Sequence, residues 1–243
     1  MRVVALPTVP FNYSRLLRTA NATGVATATT SRGPMVLSET WAAAIDTTNV
    51  WTVTVGATGT AAVASVSGIR LLALLAPAIA DTAQVNAKAS LTNPVALVPT
   101  ATANIYQRVV LEFEMKLTTL ASIDNAQFIA GLYTGDAAGR SAANASGFIL
   151  AADALNTLTD KAGVEAVTVV SPAPTLTNWN KYKHIINATS HEFYVNDVLV
   201  ATHSTAANLP LTYMSAAQFY LVSDAADDPR VDIGPVRCYL EDV

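Results

Sequence analysis

The chain has 243 residues, 51% hydrophobic and only 13% charged, with a formal net charge of −4. The length fits one large β domain or two small ones, and the single cysteine, Cys238, excludes a scaffold stapled by internal disulfides. A surface this poor in Lys and Glu is better kept in solution by burying part of itself against a neighbour, so the composition favours an assembly over a free monomer.

Residues 1–38 carry Arg2, Arg15, Arg18 and Arg32 and no acid; with +4 there and −4 overall, the remainder carries −8. The stretch has no sustained period and is broken by Pro7, Pro10, Gly24, Gly33 and Pro34. It predicts an extended N-terminal arm over 1–38 that docks through its arginines on an acidic neighbour. The arginines are too scattered for a nucleic-acid patch, and no aromatic-basic interleaving accompanies them. The opening MRVVALPTVPFNYSR does not read as a signal peptide, and the apolar run 71–80 is half a membrane span with Pro77 inside it. The expectation is a soluble protein made in a cytoplasm, with neither nucleic acid nor membrane as partner.

Strands follow, over a domain spanning 39–243. Residues 51–55 alternate, 56–59 turn, and 61–66 are expected to return beside the first strand. Residues 71–75 are apolar throughout, a buried strand or a short helix. Residues 83–89 alternate, with Gln84, Asn86 and Lys88 facing out. A loop is expected over 91–104. In 108–118, Val109, Leu111, Phe113, Met115 and Leu117 share one face and Glu112, Glu114 and Lys116 the other. Residues 127–133 form a strand, 135–147 a loop, and 147–152 and 164–170 two more strands. Residues 182–187 lead into a hairpin in which 192–195 and 198–202 flank the tight turn Asn196-Asp197. Residues 218–223 and 231–240 complete the set, the last with a bulge at Gly234-Pro235. This is a two-sheet sandwich pattern, with no long amphipathic helix and no internal repeat.

The Trp-led strand and hairpin of 178–204, NWNKYKHIINATSHEFYVNDVLVATHS, together with the closing VDIGPVRCYLED, resemble concanavalin A-like jelly rolls, including laminin-G-like and family-16 glucanase-like domains. The resemblance covers roughly 40–243 and implies an all-β, concanavalin A-like jelly-roll β-sandwich behind the arm. The runs DTTNVWTVTVGATGTAAVAS, TAQVNAKAS, LEFEMKL and FIAGLYTG resemble structural proteins of tailed bacteriophages. That resemblance implies a virion protein made in the host cytoplasm, above all a capsid decoration protein. Its partners would be the major capsid protein or other virion proteins, in a trimer or dimer, with no catalytic centre and no cofactor. The alternative is a carbohydrate-binding module of a fibre or adhesin, with a glycan as partner.

Candidate chemistries can be weighed residue by residue. Glycoside hydrolysis needs two opposed carboxylates. Glu112 and Glu114 share a face as in glucanase strands, but Lys116 stands where a third acid is needed, so a solvated outer face is expected. His191 and His203 are expected opposite each other across the hairpin, with His184 on the preceding strand; a metal needs further ligands, and exposed strand histidines are the reading. Asp224, Asp227 and Asp228 read as a solvated turn rather than a calcium loop. A glycan would meet a rim of Trp41, Asp136, Arg140 and Asn144, while Trp51 and Trp179, at strand starts, are expected to pack. Cys238, in an alternating strand, is expected to fill the core.

Overall fold

The computed structural model describes residues 32–78, 82–87, 100–102, 105–118, 126–133, 144–151, 154–210, 215–223 and 229–242. Among these there is no helix. The strands are β1 (Arg32–Glu39), β2 (Trp51–Val55), β3 (Thr60–Val66), β4 (Ile69–Leu75), β5 (Thr82–Ala87), β6 (Thr100–Thr102), β7 (Ile105–Leu117) and β8 (Ala126–Tyr133). The second half supplies β9 (Asn144–Ala151), β10 (Ala154–Lys161), β11 (Val164–Val169), β12 (Asn180–Ile186), β13 (His191–Val195), β14 (Val198–His203), β15 (Ser215–Ser223) and β16 (Arg230–Asp242).

They form two antiparallel sheets facing each other, a β-sandwich. Sheet A has nine strands in the order β14-β13-β12-β7-β16-β4-β3, with β1 beside β16 and β6 beside β7. Sheet B has seven, in the order β11-β10-β9-β8-β15-β5-β2. The inward rows meet in one core. Phe113 of β7 stacks on Tyr182 at 5.2 Å and meets Phe148 and Phe219 of sheet B edge-on at 6.1 and 5.4 Å. Such tilted pairs let two pleated faces interlock and add to the stability that burial itself provides. Cys238 is fully buried in this core, and burial pushes its thiol up to about 12.

Three two-residue turns set the registers. Ser67-Gly68, Ala162-Gly163 and Asn196-Asp197 all have positive φ at both positions and join β3 to β4, β10 to β11 and β13 to β14. This backbone twist matches that of the strands it connects. The Asn196-Asp197 hairpin is where the sequence places it. The Ser67-Gly68 turn overturns another expectation: β3 folds onto β4 in sheet A, whereas β2 lies beside β5 in sheet B. Residues 71–75 are strand, and a register shift between Ile233 and Val236 puts the bulge at Gly234-Pro235.

Two further positions differ from the sequence reading. Strand β1 pairs with β16, so residues 32–38 run as sheet within the stretch read as arm; Arg32 lies opposite Glu241, and residues 1–31, with Arg2, Arg15 and Arg18, are outside the described residues. Gln84 alternates as expected but is buried.

Candidate functional site

Two polar regions stand out, on opposite sides of sheet A. The first lies between the sheets. His191 and His203 are opposite each other in the β13–β14 ladder, as expected, and His184 is on neighbouring β12. They are not exposed: all three turn inward and are buried. Hydroxyls of sheet B meet them. Ser146 Oγ lies 3.0 Å from His184 Nε2 and 2.8 Å from His191 Nδ1. Thr157 and Thr168 reach His203 Nε2, each at 3.1 Å, and Thr159 reaches its Nδ1 at 2.8 Å. His184 also stacks on Phe193 at 4.5 Å.

Burial in this seam drives the histidines toward the neutral form. Desolvation, then the nearby His191 and His203, hold His184 well below its ordinary value. His191 is lowered to about 3 by desolvation and by His203, against a hydrogen bond with the Pro210 backbone that raises it. Desolvation lowers His203 as well. A neutral imidazole offers one donor and one acceptor, which hydroxyls can match. Ser146 beside two histidines has the makings of a nucleophile, but it is fully buried, so no substrate carbonyl can approach it. No group of three or more side chains suited to a metal gathers among the described residues. The seam ties the sheets together.

The second region is the outer face of sheet A. Period-two alternation sends Glu112, Glu114 and Lys116 of β7 outward in a row. The ladders place Lys183 and Arg237 on either side of Glu112, and Lys181 beside Glu114. Tyr239 OH donates to Glu112 Oε1 at 3.0 Å, and Lys183 Nζ is 3.8 Å from the same oxygen, so this carboxylate is held in one orientation. Lys181 Nζ reaches Asp197 at 3.0 Å. Lys116 Nζ lies 3.8 Å from Asp232 and 5.3 Å from the centre of the Trp179 ring.

A groove opens along this row, about 130 Å³ and lined by Glu112, Phe113, Glu114, Lys181, Pro235 and Arg237. The bulge in β16 makes room for it. A Cβ added at Gly234 would lie 3.2 Å from Glu114 Cβ and 3.5 Å from the Trp179 ring, so glycine lets the ring and the carboxylate stand side by side. The groove thus combines an oriented carboxylate with cationic groups, and the Trp179 ring lies beside Gly234, outside the groove lining. Charged groups so placed are suited to hydrogen-bond hydroxyls.

Of the rim drawn from sequence, Trp41 and Asn144 lie among the described residues. Trp41 is 1% exposed: its ring lies 5.3 Å from that of Trp51, its Nε1 donates to the Gly234 carbonyl at 2.6 Å, and its own carbonyl accepts from Arg70 at 3.2 Å. Glu39 accepts from Trp41 N at 2.7 Å, and these tethers hold a tryptophan at φ 58, a region bulky residues avoid. Trp51 packs as expected. Asn144 opens β9 opposite Lys161, half-buried. Asp136, Arg140, Asp224, Asp227 and Asp228 lie outside the described residues. Sequence reasoning found Glu112, Glu114 and Lys116 but missed Lys181, Lys183, Arg237 and Tyr239 as their neighbours. Each sits at an outward position of its strand, and that alternation was the available signal.

No protein-family model and no curated protein matches the chain. Solved structures do resemble it. The binding domain of botulinum neurotoxin DC, in complex with rat synaptotagmin II, aligns with TM-score 0.56 and 10% identity over 84% of this chain and 48% of that one. A structure of botulinum neurotoxin type C, whose uptake into cells depends upon interaction with two ganglioside molecules, aligns with TM-score 0.55 and 11% identity over 84% and 47%. The serotype D binding domain gives TM-score 0.53 and 13% identity over 84% and 47%. The chain spans about half the length of these structures, and what it shares with them is the β-sandwich.

Proposed function

We propose that this chain is a carbohydrate-binding module that recognises its ligand on the outer face of sheet A and has no reacting centre. The observation that carries the reading is the groove beside the β16 bulge, where Glu112, fixed by Tyr239 and Lys183, stands with Glu114, Lys181 and Arg237, with the Trp179 ring nearby against Gly234. Sugars are recognised by rigid hydrogen-bonding groups beside an aromatic surface, and both are present here. Two of the similar sandwiches among solved structures are binding domains, and a third belongs to botulinum neurotoxin type C, whose cell entry depends upon interaction with two ganglioside molecules. A glycan array followed by calorimetry on the best ligand tests this. Glu112→Gln and Trp179→Ala are each expected to weaken binding by about tenfold or more, the effect of losing a charge-assisted hydrogen bond or a ring contact. Unchanged binding in both variants, or turnover of a polysaccharide by the wild-type chain, overturns it.

A second reading is a structural component of a tailed-phage particle, attached by protein contacts to the capsid or other virion proteins. The exposed valines of the edge strands favour an assembled state. Antibody labelling of purified particles distinguishes the two readings.

A further inference from the structure

Five of the eight large hydrophobic side chains exposed among the described residues lie along one flank of the sandwich, where both sheets end. Val164 (49%), Val167 (44%) and Val169 (62%) are on β11, the last strand of sheet B; Val198 and Leu199 are on β14, the last strand of sheet A. The Thr168–His203 hydrogen bond joins the two strands across the sandwich.

Among the described residues, strand β11 is an unblocked edge. Its ladder to β10 runs without a shift from Lys161↔Val164 to Asn156↔Val169, and among the described residues β10 is its only neighbour. Monomeric proteins blunt such edges with lysine, proline, a bulge or a covering segment. The sequence VEAVTV has neither lysine nor proline, and its one charge is Glu165. The ladder of β14, by contrast, is interrupted by a register shift at Phe193/Tyr194. The other end strands, β2 and β3, are as regular, but each exposes one large hydrophobic side chain, Val55 and Val66, and β14 two, against three on β11.

The strand is also complementary to itself. Residues opposite each other in an antiparallel pair point to the same face, so a symmetric pairing must match residues of like parity. Centred on Val167, the pairing sets Val167 against Val167, Ala166 against Thr168 and Glu165 against Val169. No like charges face each other, and Val167 and Val169 of both copies share one face with Glu165, while Val164 lies on the other. We infer that β11 is a self-association edge: two copies pair β11 to β11 about a two-fold axis at Val167, and two seven-stranded sheets become one continuous sheet. The axis is perpendicular to the sheet, so both copies turn their sheet A grooves the same way, which suits attachment to a surface at two points.

Sedimentation equilibrium of the intact chain tests this. The wild type is expected at twice the 25.4 kDa of one chain, Val167→Lys at the monomer mass with an unchanged β-sheet circular dichroism spectrum, and Ile69→Lys, on the opposite flank, at the dimer mass. A wild type that stays monomeric up to its solubility limit overturns the inference, as does a Val167→Lys variant that remains dimeric. Should Val167→Lys fail to fold, Val167→Cys decides. Opposed residues of such a pair stand close enough for a symmetric disulfide, and the native Cys238 is buried. A disulfide-linked dimer from Val167→Cys but not from Ile69→Cys supports the pairing; the reverse result overturns it.

Discussion

The outer face and the inner seam of sheet A use similar polar chemistry to opposite ends. Strand β12 contributes to both: Lys181 and Lys183 point outward to Glu114 and Glu112, while Tyr182 and His184 point inward to the core. Outside, water screens the charges, and a groove leaves them accessible to a ligand. Inside, hydroxyls of sheet B meet the imidazoles, which remain neutral and out of reach of any ligand. Access to solvent, more than residue type, separates a candidate binding surface from a structural one.

That contrast can be broken most sharply with acid. An unfolded histidine titrates near 6.5, while folded His191 titrates near 3, so between these values the unfolded chain takes up a proton that the folded chain refuses. Stability is therefore complete above about pH 6.5 and falls with acidification toward pH 3, by roughly 1.4 kcal/mol per pH unit for each such histidine. Urea unfolding between pH 7 and 4 is expected to show this slope, and replacing His191 by Gln should flatten it. A flat profile in the wild type would mean that the seam is hydrated. Next in size, Ser146→Ala removes the hydroxyl shared by His184 and His191. It should destabilise the fold by about 1–3 kcal/mol, the cost of leaving buried polar atoms unmatched, with ligand binding retained. Smallest, Lys181→Ala on the exposed face should change stability by no more than about 0.5 kcal/mol while weakening glycan binding. A Lys181→Ala variant as destabilised as Ser146→Ala would erase the distinction.

Much of the fold was legible locally. The face alternation of β7 and the Asn196-Asp197 turn are short-range patterns, and both appear as read. Strand β10 was not legible, because its inward row is Leu155, Thr157, Thr159 and so lacks apolar alternation. Those threonines face His203 of the other sheet, so the pattern makes sense only once the sheets are stacked. The histidines were misjudged for the same reason. Their cross-strand position followed from the turn, but the hydroxyls that make their burial tolerable come from residues 146–168 on another sheet. Trp41 looked unconstrained because its hydrogen-bond acceptor, the Gly234 carbonyl, lies far along the chain.

By itself, then, the amino-acid order determined which residues share a face and where the hairpin at Asn196-Asp197 closes, since both follow from pleat geometry and backbone sterics over a few residues. Which strands become neighbours was decided only by tertiary structure: β7 between β12 and β16, β3 against β4 but not β2, Ser146 against two histidines. Those pairings join segments far apart in sequence, and their stability lies in burial and cross-sheet hydrogen bonds that no local window contains.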